Sequence, residues 1–240
     1  MKAAVYSGTR NLYPAMSTAA KSLLFNSSVD RIYFLIEDDS FPDKLPSEIK
    51  TINVSDQQFF PLSCVNRKSP FSYMALLRVC YTKLFPDVDK ILQLDVDTVV
   101  VDNIDELWDV DLTDKYFAAV EEYLSTWKPF GKKYFNIGVA MFNLDEMRKD
   151  HIDDQMISYL NRVTAKYVDQ DACNKWMIRK SVNLPLRFNE TVVTGFTDEP
   201  AIVHYAGFKE WENNPCVSRR EYLKKYREMT WKEVTQKRKK

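Results

Sequence analysis

In Ile91-Leu92-Gln93-Leu94-Asp95-Val96-Asp97-Thr98-Val99-Val100-Val101, two carboxylates interrupt a largely apolar run. Side chains two apart in an extended segment lie on the same side, so Asp95 and Asp97 are expected to face one point while Val96 turns to the core. Leaving two such charges in an apolar run is costly without compensation, and a hard divalent cation, Mn2+ or Mg2+, compensates them with oxygen ligands. Such an ion also draws charge from a diphosphate leaving group, which eases the breaking of a sugar–phosphate bond. The same spacing fits an exposed turn at a strand end, where aspartate is common.

Around this step, strands and helices alternate. Ala3 to Ser7, Arg31 to Ile36, Ile49 to Val54 and Lys90 to Leu94 read as strands, with helices over Pro14–Asn26 and Ser72–Leu84 between them. Ala118–Val120, Ile137–Asn143, Ser181–Leu184 and Ala201–His204 supply later strands, and Asp153–Val163 and Asp169–Met177 later helices. The pattern predicts an α/β fold. The expected division is a catalytic domain over residues 1–218 and a basic helix and tail over 219–240. In that end segment ten lysines and arginines face three glutamates, a charge of +7 that the rest of the chain balances.

The 240 residues carry 34 basic and 34 acidic side chains, so no global field draws nucleic acid, and binding has to be local. The first residues show no secretory pattern and no segment is apolar enough to span a membrane, so a cytoplasmic protein is expected. Tyr222, Tyr226 and Trp231 among the basic residues of the end segment suit contact with the inner face of an anionic membrane, while a solvated helix with a flexible tail is the plainer reading. Cys64, Cys80, Cys173 and Cys216 lie far apart, which excludes a C-x-x-C zinc or redox motif and predicts reduced thiols. Neither a G-x-G-x-x-G nor a G-x-x-x-x-G-K-[ST] pattern occurs, so dinucleotide and P-loop sites lack support.

Taken in order, several blocks resemble glycosyltransferase family 8, the group that includes glycogenin and bacterial lipopolysaccharide glucosyl- and galactosyltransferases. They begin with Ala4-Val5-Tyr6-Ser7, Ala20-Lys21-Ser22-Leu23, Tyr73 to Arg78, and Leu84-Phe85-Pro86. Ile91 to Val101, Asp105-Glu106-Leu107-Trp108-Asp109, Phe135-Asn136-Ile137-Gly138-Val139 and Phe142-Asn143-Leu144 follow. Asp169-Gln170-Asp171, Leu184-Pro185 with Asn189, and His204-Tyr205-Ala206-Gly207-Phe208-Lys209-Glu210-Trp211 complete them.

The resemblance implies a GT-A nucleotide-diphospho-sugar transferase fold, with a mixed central sheet flanked by helices. It also implies Mn2+-dependent, retaining transfer of glucose or galactose from UDP-glucose or UDP-galactose to a glycan, glycolipid or protein acceptor. Under it, Asp95, Asp97 and His204 are the metal ligands and Lys209 holds the diphosphate. The Tyr6-Ser7-Gly8-Thr9 turn meets the uridine, Gly207 and Arg78 lie near the donor, Asn136 lies in a sugar-side segment, and Asp169 and Gln170 lie beside the transferred sugar. Without an evident lone carboxylate to act as nucleophile, retention implies acceptor attack on the face the phosphate leaves. Two departures stand out: Ser7-Gly8-Thr9-Arg10-Asn11 lacks the acid that relatives carry near the uracil, and Glu210 replaces the proline of K-P-W.

Several of these residues also have plainer readings. His204 could be a satisfied strand-end histidine, Arg78 a side chain snorkelling from a helix, Asp169 and Gln170 helix caps, and Gly138 a close backbone approach within a strand. His151, in a polar stretch, reads as surface. Two other functions remain as alternatives. One is a haloacid-dehalogenase-like phosphatase with Asp95 as nucleophile, although that motif normally ends a first strand and at least three precede it here. The other is a nucleotide-sugar-binding protein without turnover.

Overall fold

The computed structural model describes residues 1–41, 44–131, 133–207 and 219–238. Its centre is a seven-stranded mixed sheet built from β1 (Ala3–Ser7), β2 (Arg31–Ile36), β3 (Ile49–Asn53), β4 (Lys90–Leu94), β6 (Phe117–Glu121), β7 (Phe135–Asn143) and β8 (Ser181–Asn183), in the order β3-β2-β1-β4-β7-β6-β8. Strands β1 to β4 run parallel, β7 is antiparallel to β4 and β6, and β8 returns parallel to β6. A separate antiparallel pair joins β5 (Thr98–Val100) to β9 (Ile202–His204).

Alternation along the central strands splits the core into two layers. Val5, Ile91 and Phe142 face one layer, together with α5 (Ile152–Arg162) and α6 (Val168–Met177). Ala4, Tyr6, Leu92, Leu94 and Met141 face the other, under α1 (Tyr13–Asn26). Both faces of β1 and β4 are covered, as parallel strands require. Because β2 and β4 lie on opposite sides of β1, the carboxyl ends of β1 and β4 open a crevice where the strand order reverses, the position at which open α/β sheets bind ligands.

Helix α1 buries Ser17, Thr18 and Ser22 as well as apolar residues. Ser22 Oγ accepts the Val100 N–H and Asn26 Nδ2 donates to the Val100 carbonyl, so these polar groups satisfy the outer edge of β5. The helix expected over Ser72–Leu84 is broken into α2 (Tyr73–Leu76), a 3-10 turn over Leu77–Cys80, and α3 (Tyr81–Leu84). The tight turn carries Arg78, and mid-helix 3-10 segments often accompany functional positions. The short helix α4 (Leu144–Lys149), which the periodicity did not suggest, starts where Asn143 Oδ1 accepts the Glu146 N–H.

Residues 219–238 do not form a solvated helix with a loose tail. They fold as α7 (Arg220–Glu228) and α8 (Trp231–Arg238), packed on α1 and β5. Tyr226 is buried and Asn26 donates to its hydroxyl, while Trp231 packs inward with Lys21 over its ring. The aromatic groups that suited a membrane surface are thus largely spent on the protein itself, and Lys237 donates to the Phe25 carbonyl. No helix among the described residues is long and apolar enough to cross a membrane. Lys239 and Lys240 of the expected tail lie outside the described residues.

Phe142, 1% exposed, meets Tyr81 edge-on and packs beside Phe117. Replacing it with alanine is expected to cost about 3–5 kcal/mol in urea unfolding; a loss under about 1 kcal/mol would show that this layer does not carry the sheet.

Candidate metal centre and sugar-side site

Asp95 and Asp97 do not stand on an extended strand. Strand β4 ends at Leu94, and Asp95-Val96-Asp97 form a turn closed by the Thr98 N–H donating to the Asp95 carbonyl at 3.1 Å. The turn, rather than strand alternation, swings both carboxylates toward His204 at the end of β9. Thr98 pairs with His204 across the small sheet, which fixes how far apart the two loops stand. One ligand atom from each of Asp95, Asp97 and His204 lies within 4.8 Å of the others. Asp97 and His204 are buried, so the reading of an exposed strand-end turn fails on exposure although the turn itself is present.

A β-bulge completes the wall. Ala119 pairs with Ala140 but its neighbour Val120 pairs with Asn136, so residues 137–139 of β7 have no opposite partners on β6. The bulge presents Gly138, whose carbonyl accepts the Asp95 N–H at 2.7 Å. A Cβ there would stand 2.2 Å from His204 Cε1 and 2.8 Å from Asp95 Oδ2, so only glycine fits.

Hydrogen bonds set the imidazole tautomer. Asn189 Nδ2 donates to Asn136 Oδ1 at 2.9 Å, which leaves Asn189 Oδ1 to accept from His204 Nδ1 at 2.9 Å. The lone pair of Nε2 then faces Asp97 Oδ1 at 3.4 Å and Asp95 Oδ2 at 3.6 Å. Two anionic oxygens and a lone pair turned on one point repel unless a cation lies between them, and this donor set suits a divalent metal.

The residues expected near the donor sugar are likewise gathered. Arg78 bridges Asp95 and Asp169, with Nη1 at 2.9 Å from Asp169 Oδ2 and Nη2 against Asp95 Oδ1. Burial works to lower the Arg78 pKa, yet the two carboxylates hold it above its usual value. Burial also pushes the Asp169 carboxyl up to about 6, against the pull of Arg78 and with Asp95 adding to the rise. Asp169 and Gln170 follow Val168, a buried β-branched residue held at φ +28°, a strained conformation that the packing around the start of α6 maintains.

Gln170 Oε1 accepts the Ile137 N–H in the bulge at 3.2 Å, and its Nε2 donates to Glu122 Oε1 at 3.0 Å. The same Glu122 oxygen accepts from Asn136 Nδ2 at 2.9 Å. Sequence reasoning missed Glu122, a 4% exposed carboxylate just past the end of β6, because the register of the bulge is invisible in a single chain. A buried acid after an apolar strand was the available signal.

Other expected donor contacts have different origins. The Tyr6 ring is wholly buried against Phe34, so near a ligand this residue can present only its backbone. Gly8 is small because Met16 Sδ and Leu12 Cβ would stand 2.9 and 3.1 Å from an added Cβ, a packing constraint rather than a ligand one. Thr9 donates to Asn11 Oδ1 at 2.6 Å. Asn136 is spent on Glu122, Asn189 and the Gly138 N–H, an orienting role behind the metal set. Gly207 adopts φ +77° with open space around it, so its reason is conformational. Lys209 lies outside the described residues, as does Cys216; Cys64, Cys80 and Cys173 are free and buried, and His151 is exposed.

Two outcomes are expected. Mn2+ should raise the melting temperature of the wild type, and Gly138→Ala should fold yet lose that rise; an undiminished rise in the variant would mean the cation binds elsewhere. Because the folded pKa of Asp169 exceeds the usual 3.8, the stability it contributes is complete below about pH 4 and is lost as pH rises through 6. Metal-free wild type should therefore lose more stability than Asp169→Asn between about pH 5 and about pH 7, and parallel curves would contradict this.

A family model described as Glycosyl transferase family 8 matches residues 4–215. Glycosyltransferase GlyA of Streptococcus pneumoniae is 29% identical over 258 aligned residues, covering 98% of this chain and 36% of that protein. Lipopolysaccharide 1,2-glucosyltransferase of Escherichia coli is 25% identical, covering 61% of this chain and 52% of that protein. The chain spans only 26–44% of the length of GlyA and two further bacterial relatives. Among solved structures, galactosyltransferase LgtC in complex with donor and acceptor sugar analogs superposes with a TM-score of 0.74 at 22% identity, over 98% of this chain and 99% of that one. The apo form of GlyE from Streptococcus pneumoniae gives 0.75 at 21% identity, over 98% and 62%. The fold is therefore GT-A, and the match over nearly the whole length shows that this chain belongs to glycosyl transferase family 8.

Proposed function

We propose that this chain transfers a hexose, glucose or galactose, from a UDP-sugar to a glycan, glycolipid or protein acceptor, with retention at the anomeric carbon. The observation that carries the reading is the convergence of Asp95, Asp97 and His204 in the crevice at the carboxyl ends of β1 and β4. Relatives named as a lipopolysaccharide 1,2-glucosyltransferase and a lipopolysaccharide 1,3-galactosyltransferase support the hexose class. A Mn2+ or Mg2+ ion held by these three residues would supply charge neutralisation for the departing diphosphate.

The chain's own groups do the rest. The bond between the anomeric carbon and the diphosphate breaks with its electron pair going to phosphate oxygen, and the acceptor oxygen bonds to that carbon as it gives its proton to the departing phosphate oxygen. Arg78 keeps Asp169 anchored, and Glu122 keeps the Gln170 amide turned to the bulge, so neither acid is a free nucleophile. This favours attack from the face the phosphate leaves. Gln170 and Asp169 position the sugar, and Lys209 holds the diphosphate.

The phosphatase alternative loses its footing. Asp95 is engaged by Arg78 and by Gln93 Nε2, and the chain's family is one of glycosyl transfer. A binding protein without turnover would take up UDP-sugar with Mn2+ and release no UDP. Peripheral contact with an anionic surface would rest on basic groups such as Lys224 and Lys232 alone, since Tyr226 and Trp231 face inward.

UDP release from UDP-glucose or UDP-galactose, assayed with Mn2+, is the test. Asp97→Ala is expected to lower it at least about 100-fold, the upper end of what residues one shell further out cost. Release that survives in the variant, or inorganic phosphate as the product, would contradict the reading.

A further inference from the structure

We propose that Arg219, the first residue of the basic end segment, is a positioning residue for the metal centre, acting through Glu190. The inference rests on the proposed metal site and adds the C-terminal segment to it.

Glu190 is 1% exposed and follows Asn189, whose side chain sets the His204 tautomer. Its backbone brackets β9: the Glu190 N–H donates to the Ile202 carbonyl at 3.0 Å, and the His204 N–H donates to the Glu190 carbonyl at 2.9 Å. Among the described residues, the strand that carries His204 is therefore held on one side by β5 and on the other by Glu190. Whatever fixes Glu190 fixes both the backbone and the ring of His204.

Arg219 fixes it. Its Nε stands 2.6 Å from Glu190 Oε1, an ion contact rather than an aligned hydrogen bond, and its Nη2 donates to Oε2 at 3.1 Å. Nη2 also donates to the Thr197 carbonyl at 2.6 Å, and the Thr197 N–H donates back to Oε2 at 2.9 Å, so the loop after Glu190 closes on the same pair. A second tie runs to the acids: Tyr205 Oη donates to the Arg219 carbonyl at 2.8 Å, and the Tyr205 N–H donates to the Asp97 carbonyl at 2.9 Å.

Arg219 sits at φ +60°, a conformation rare for its residue type, at the start of a helix that buries Leu223 and Tyr226 against Val99 and Val203. The helix packing holds the backbone of Arg219, and the planar guanidinium carries that anchorage to Glu190. A buried carboxylate that loses such a partner is left uncompensated and moves toward water, taking Asn189 and β9 with it.

The test is Mn2+ binding to the full chain without donor, followed by the paramagnetic resonance of free Mn2+. Arg219→Gln is expected to weaken Mn2+ affinity by about 10-fold or more, within the range that residues behind metal ligands show. Should that variant fold poorly, Glu190→Gln combined with Arg219→Gln removes both charges and is expected to weaken affinity to a similar degree, because the tether is gone. Affinity within about twofold of wild type in a folded variant of either kind overturns the proposal. His204→Ala separates the two layers of inference: if it binds Mn2+ as tightly as wild type, the metal site itself is misplaced, whereas lost binding there with unchanged binding in the Arg219 variant sinks only the role of Arg219.

Discussion

Everything in the site follows from the crowding of two carboxylates and one imidazole against the backbone of Gly138. Groups with that much negative potential do not gather unaided, so the scaffold has to hold them. It does so with hydrogen-bonded backbone: the turn after β4, the pairing of β5 with β9, and the bulge in β7, each fixing one wall. Arg78 offsets part of the repulsion from the Asp95 side and also binds Asp169. The three candidate metal ligands and the residues expected beside the sugar are thereby one electrostatic unit.

A second thread, of hydrogen bonds, joins them. Gln170, Glu122, Asn136, Asn189 and His204 form an unbroken chain of hydrogen bonds that crosses from α6 to β9. Each amide in it has donor and acceptor committed in one sense, so the orientation of the imidazole is set several residues away. Displacing Gln170 would be felt at His204. Helix α7 packs Leu223 and Tyr226 against Val203 of β9, so a segment that looks like an addition to the fold contributes to its most demanding region.

Residue chemistry made much of this legible in the sequence. Two aspartates in an apolar run and an alternating α/β pattern were enough to expect an α/β fold and a cation at Asp95 and Asp97, whereas the GT-A fold and His204 as a third ligand came only from the resemblance to glycosyltransferase family 8. What failed to show was whatever depends on register or on distant packing. The carboxylates converge through a turn, which residue spacing cannot tell from a strand. The packing of Tyr6 on Phe34 and of Gly8 against Met16 was not legible either, because those neighbours are set by tertiary contact. Glu122 and Arg219 gained meaning only when a bulge and a helix brought them to partners, Arg219 to one 29 residues away in sequence. Helix periodicity over 72–84 concealed the 3-10 turn that aims Arg78.

The central claim is that one cation is shared by Asp95, Asp97 and His204, and anomalous scattering measures that directly. Crystals grown with Mn2+ and UDP, with data collected at the manganese absorption edge, should show an anomalous peak in contact with Asp95, Asp97 and His204 Nε2, with a diphosphate on its open side. A peak bound to other residues, or UDP seated with no metal between those three side chains, would contradict the account.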